Sequence, residues 1–173
     1  MLYNGLVLPH LQYCLMVWGD FRGGRNETLA GSLLRYQKRF AGLVAGKRGL
    51  YHSDPLFAQF GMLKIGDLYR QQLRVHAWRF WNGMLPENQA AMLGRVADVH
   101  GHGTRLARGG LYVSSRDHRS VGYRVPREWG SLGEGLRGVG SLAAFKRRSR
   151  EGFLANYAAF CCGVPDCYVC RGL

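Results

Sequence analysis

Apolar residues recur at steps of three and four in two long stretches of this chain. That spacing builds helices with one buried side. In Asp67 to Asn82, the residues Leu68, Tyr69, Leu73, His76, Ala77 and Phe80 form one stripe, while Arg70, Gln71 and Arg74 share another face. Asn82-Gly83 and then Pro86 form a stop signal. Glu27 to Ala45 has the same character, with Leu29, Leu33, Tyr36, Phe40 and Leu43 as the stripe and Arg35, Lys38 and Arg39 on another face. Gly46 to Gly49 ends it, with Lys47 and Arg48 placed against the negative end of the helix dipole. Leu8 to Trp18 is apolar nearly all round, which predicts a buried helix, with Pro9 accommodated in its first turn. Asp54-Pro55 opens a short helix with Asp54 as N-cap. Ser141 is the expected N-cap of a last helix reaching Phe160. Its buried side would be Leu142, Phe145, Phe153, Tyr157 and Phe160, with Lys146, Arg147 and Arg150 outside.

Between His100 and Val125 this periodicity is lost, and Gly, Ser and Arg dominate. Leu111 to Val113 and Val121 to Tyr123 are candidate strands there. The expected fold is therefore mainly α: a helical region over 1–98, a basic loop and short-strand segment over 99–140, a C-terminal helix over 141–160 and a cysteine-containing tail over 161–173. At 173 residues and 47% apolar composition, the chain can bury a core without disulfides. Glycine is over-represented, at 25 residues. No apolar run reaches the roughly 18–20 residues that a bilayer-spanning helix needs. The first basic residue, Arg22, follows the apolar run, which reads against a secretory leader. Cys14 stands alone, and Cys161, Cys162, Cys167 and Cys170 crowd near the end, a usage that fits a reducing compartment.

Charge narrows the partners. Twenty-four Lys and Arg against 11 Asp and Glu leave +13, spread as +4 over 1–60, +2 over 61–98, +4 over 99–130 and +3 over 131–173. No detachable basic tail exists, so the excess belongs to the folded body. Basic helical faces beside aromatics suit phosphate contact and base or sugar stacking. Arg35, Lys38 and Arg39, then Arg70 and Arg74, then Lys146, Arg147 and Arg150 are three such faces. Arg105, Arg108, Arg116, Arg119, Arg124 and Arg127 thread the irregular segment with Tyr112 and Tyr123. The expected phosphate contacts are Arg35, Lys38, Arg39, Arg70, Arg74, Arg105, Arg119, Lys146, Arg147 and Arg150. No base-reading helix or finger is recognisable.

Catalytic chemistry finds little to use. Two-metal phosphoryl transfer needs clustered carboxylates, and the closest pair in sequence, Glu128 and Glu134, is six residues apart. Gly42 to Arg48 (GLVAGKR) lacks the spacing of a phosphate loop, places Arg48 where Ser or Thr would bind magnesium, and ends a helix instead of starting one. His100 and His102, with Asp98 or Asp117, offer metal ligands on a glycine-flanked loop without evident supporting partners. His76 lies on an apolar stripe and reads as a core histidine. Ser114, Ser115 and His118 form no nucleophile motif. Cys167 and Cys170 have zinc-ligand spacing, with Cys161 and Cys162 the only other cysteines nearby. No cofactor, small-molecule substrate or membrane partner is expected.

Five blocks, in order, resemble the C-terminal part of the reverse transcriptase polyprotein of LINE-type (non-LTR) retrotransposons. LVLPHLQYCLMVWG (Leu6 to Gly19) is similar to the family's ILPHLxYCxxVWG helix, and LLRYQKRFAGLVAG (Leu33 to Gly46) to its LxxLQKRxxRxI helix. DPLFAQFGMLKIGDLYRQQ (Asp54 to Gln72) resembles PLFxxLxILxLxDLYxxQ. HGHGTR (His100 to Arg105) resembles HxYxTR, with His102 in the aromatic position. RSVGYRVPREW (Arg119 to Trp129) and SLAAFKRRSR (Ser141 to Arg150) resemble the closing YxGPxLWNxLP and SLxxFKKxLK, although the usual Gly-Pro is missing.

The resemblance implies a thumb-like helical bundle gripping a primer–template duplex, then a region that binds RNA or target DNA. The family's catalytic motif, an aromatic followed two residues later by an Asp pair, is absent from the sequence, as are the palm and fingers that normally partner the thumb. The implied role is non-catalytic binding of template RNA and nascent DNA, intracellular, and nuclear if the chain takes part in retrotransposition. Two alternatives stay open. One is a small zinc-binding, nucleic-acid-associated protein using Cys161, Cys162, Cys167 and Cys170. The other is a relic without function, in which Leu6 to Trp18 is exposed apolar surface.

Overall fold

The computed structural model describes residues 3–19, 25–48, 51–99 and 109–159. The chain is mainly helical. A π-helical turn, Tyr3–Val7, leads into α1 (Leu8–Gln12), α2 (Leu15–Trp18), α3 (Arg25–Val44), α4 (Asp54–Gln59), α5 (Ile65–Trp81) and α6 (Glu87–Ala90). Then come β1 (Gly94–Arg95), α7 (Val96–Val99), β2 (Leu111–Tyr112), α8 (Val121–Gly130), α9 (Glu134–Arg137) and α10 (Leu142–Ala159). β1 and β2 pair antiparallel, Gly94 opposite Tyr112 and Arg95 opposite Leu111.

Local chemistry explains the helix ends. α3 stops where Gly46 takes a positive φ of 65°, so that its N–H reaches the Leu43 carbonyl and the Lys47 N–H reaches that of Gly42. α5 stops the same way at Gly83, φ 67°, through Gly83 to Phe80 and Met84 to Arg79. Both are Schellman caps, in which a left-handed residue answers carbonyls the helix leaves open. α10 begins where the Ser141 hydroxyl accepts the Ala144 N–H at 3.2 Å. α4 starts one residue earlier than its sequence suggests: Ser53 is the N-cap, and Asp54 lies inside the first turn. The Asp54 carboxylate instead pairs with Lys64 Nζ at 2.7 Å.

Two compact units divide the chain, one of 1–68 with 149–173 and one of 69–148, and both boundaries fall inside helices, α5 and α10. The division expected at 98, 140 and 160 marks changes in composition, a different criterion from compactness.

In the first unit, Tyr3, Leu15, Ala41, Leu56, Phe57, Met62, Leu63, Ile65, Phe153 and Tyr157 are buried. Gln37 organises them. Its Nε2 donates to Tyr3 Oη and to the Leu63 carbonyl, both at 3.0 Å, and its Oε1 accepts the Ile65 N–H at 2.9 Å, so one amide answers an open donor in the first turn of α5. Burial pushes the Tyr3 phenol up from its ordinary pKa, with the Gln37 bond and the Arg150 charge pulling back. Tyr157 accepts the Lys64 N–H at 3.1 Å and donates to Asp67; burial and this neighbouring carboxylate raise its pKa and hold it protonated.

Two expectations fail in this unit. Leu8 to Trp18 is not one buried helix: it breaks at Tyr13 and Cys14, where Cys14 takes φ 48°, and Leu6, Tyr13 and Val17 are exposed. Only Leu15 of the α1–α2 run is buried. On α3, the side turned to the core carries Gln37 and Ala41, while Leu29, Tyr36 and Leu43 face solvent.

In the second unit the core is aromatic. Trp78 packs on Phe145 at 5.9 Å, and Trp129 packs on Phe145 at 6.4 Å and Trp81 at 5.8 Å. Each buried indole finds an acceptor, Trp78 at the Val139 carbonyl and Trp129 at that of Gly109, both at 2.9 Å. Val121 to Tyr123, expected as a strand, is the first turn of α8. Pro126 sits inside that helix and cannot bond the Gly122 carbonyl one turn back. The Ser114 N–H bonds that carbonyl instead, at 3.1 Å. Leu111 and Tyr112 do form the expected strand.

Candidate nucleic-acid interface

Fourteen of the 24 Lys and Arg and five of the 11 Asp and Glu lie at 69–148, so the second unit carries +9 of the +13. The sequence segments had hidden this concentration because the unit takes in most of α5 and only the first turns of α10.

Part of the charge is internal. Arg70 and Arg74, one turn apart on α5, both reach Glu128 on α8, with Nε to Oε1 distances of 3.2 and 2.7 Å. The side chains of Arg74 and Glu128 are only 12% and 13% exposed, whereas Arg70 is 47% exposed. Arg74 therefore holds α5 to α8 and presents little to a ligand. Arg124, assigned by its sequence to an irregular segment, is buried. Its Nη1 donates to Tyr69 Oη, its guanidinium lies 5.6 Å from the Tyr69 ring centre, and its Nε has no hydrogen-bond partner. Two guanidiniums of α5 thus share the Glu128 carboxylate, while that of Arg124 on α8 is buried against Tyr69.

The exposed charge is organised around the start of α8. Asp117 Oδ1 accepts the Arg119 N–H at 2.9 Å, and the Asp117 N–H reaches Ser115 Oγ at 3.1 Å, a side-chain-closed turn. That turn leaves Arg116, His118 and Arg119 exposed. Beside it, Tyr123 meets the His118 ring edge-on at 4.3 Å, and Arg127 donates to Tyr123 Oη at 2.8 Å with its guanidinium 5.4 Å from the ring centre. On α10, Lys146, Arg147 and Arg148 are all exposed. Arg116, Arg127 and Arg148 were not among the expected contacts; the Lys-Arg-Arg run and the loop arginines were the signals available for them.

Of the expected contacts, Arg70, Arg74, Arg119, Lys146 and Arg147 fall in this unit, and Arg35, Lys38, Arg39 and Arg150 in the other. Arg35 and Arg39 are exposed, and Arg35 Nη2 bonds Ser32 Oγ at 3.2 Å. Lys38 is half-buried. Arg150, expected outside, is half-buried and donates to the Gly61 carbonyl. Arg105, His100, His102, Phe160, Cys161, Cys162, Cys167 and Cys170 lie outside the described residues. Among the described residues, no three His, Cys, Asp or Glu side chains gather as metal ligands would, and no helix is long and apolar enough to cross a membrane.

His76 is half-buried as its position on the α5 stripe predicts, and burial, followed by the nearby Arg79 charge, lowers its pKa. Comparison with protein-family models, with curated proteins and with solved structures finds no match to the chain.

Proposed function

We propose that the chain is a non-catalytic, phosphate-binding region of a LINE-type reverse transcriptase that holds template RNA and nascent DNA. The observation that carries this is the second unit's +9, with Arg116, Arg119, Arg127, Lys146, Arg147 and Arg148 exposed around a buried aromatic core. Guanidinium groups match phosphate oxygens in pairs, and Tyr123 with His118 adds an aromatic surface among them. The order of the five sequence blocks supplies the family, and the missing Asp pair assigns it binding and not polymerisation.

Salt titration of binding to an RNA–DNA hybrid, single-stranded RNA and duplex DNA tests this. Log affinity should fall linearly with log salt, and Arg119→Gln or Arg127→Gln should each reduce the slope by about 1. Folded protein that binds none of the three at low salt refutes the proposal.

A further inference from the structure

Helix α3 carries an apolar file that the described residues cover only in part. Leu29, Leu33, Tyr36, Phe40 and Leu43 follow one another at steps of four, three, four and three, the repeat with which one helix seats along another. Leu29 is 43%, Tyr36 64% and Leu43 80% exposed, and Leu33 and Phe40 are half-buried. The helix packs into its own unit through Gln37 and Ala41 and through the inner edge of the file, where Phe40 meets the Tyr3 ring at 5.5 Å, leaving Leu29, Tyr36 and Leu43 outside. Scattered exposed leucines are ordinary, but a single file of large apolar residues about 21 Å long, at 1.5 Å per residue, marks an interaction surface.

The charges beside the file identify its occupant. Arg35 and Arg39 are exposed along one flank, and Lys47 and Arg48 are exposed beyond its C-terminal end. From Leu29 to Val44, the stretch that carries the file, the sequence has no Asp or Glu. A second copy laid on the same face would set arginine against arginine, on chains that each carry +13. A bilayer surface takes a broad apolar face, whereas a narrow repeat of this period fits another helix. We propose that α3 docks an acidic amphipathic helix of a partner protein. The partner's apolar residues seat between Leu29, Tyr36 and Leu43, and its Asp or Glu side chains meet Arg35 and Arg39. This surface lies in the first unit and is independent of the phosphate contacts proposed for the second.

The probe is a labelled three-heptad peptide with Leu at the two seam positions and Glu on both flanks, titrated into the full chain near physiological salt. A shuffled peptide of identical composition is the control. The periodic peptide should bind at least about tenfold more tightly than the shuffled one, and Leu43→Gln or Tyr36→Gln should each weaken it at least about fivefold. Both positions are exposed, so circular dichroism should be unchanged, and RNA affinity should stay as in the parent. Equal binding of the two peptides, or indifference to both substitutions, overturns the proposal. So does a chain dimer that Leu43→Gln dissociates, or binding to phosphatidylserine vesicles that Leu43→Gln abolishes.

Discussion

Gly42 occupies the last turn of α3, and the ring of Tyr51 lies across it. A Cβ placed at residue 42 would come within 2.9 Å of Tyr51 Cε2, and closer still to Cζ and Oη. Real Cβ atoms do not approach ring carbons that closely, so the ring would have to leave. In an unobstructed helix, replacing glycine by alanine gains about 0.5–1 kcal/mol, because alanine loses less backbone freedom on folding. Here the displaced Tyr51 gives up its hydrogen bond to the Lys38 carbonyl, now 3.0 Å, a loss of about 0.5–1.5 kcal/mol. Overpacking of this kind costs about 1–3 kcal/mol. Gly42→Ala should therefore lower stability by about 1–2 kcal/mol once the propensity gain is counted. In a Tyr51→Ala background the obstruction is gone, and the same substitution should raise stability by about 0.5–1 kcal/mol. Urea unfolding of the four proteins of this cycle measures both. The same sign in both backgrounds refutes the argument.

Glu128→Gln should lower stability by about 2–4 kcal/mol, because it leaves the nearly buried Arg74 without its carboxylate. It should also tighten RNA binding at low salt, since it removes a carboxylate that competes with phosphate for the exposed Arg70; urea unfolding and a binding titration check the two halves. His76 is held neutral by burial, so the unfolded chain takes up its proton at about pH 6.5, before the folded one does. Its contribution to stability is therefore complete above that pH and declines below it until the folded pKa is passed. The melting temperature should fall as pH drops through this window, and His76→Gln should make the decline shallower.

The helices of this chain and where they stop were largely legible in its residues. α5 and α10 follow from apolar periodicity, and the ends of α3 and α5 follow from Gly46 and Gly83, because these features rest on contacts within a few residues of one another. The basic character of Arg119, Lys146 and Arg147 was legible for the same reason: charge and exposure are properties of short segments. Which side of α3 turns inward was not. The apolar stripe was the natural choice, yet Gln37 is buried because one amide satisfies Tyr3, Leu63 and Ile65, which lie 34, 26 and 28 residues from it in the sequence. Tertiary contacts also set Val121 to Tyr123 as helix, with Ser114 taking the carbonyl that Pro126 cannot bond. They divided the arginines as well, drawing Arg74, Arg124 and Arg150 into contacts with Glu128, Tyr69 and Gly61 while leaving Arg116, Arg119 and Arg127 exposed. Local sterics decide where a helix runs; only packing between distant segments decides what it faces and which of its charges remain for a partner.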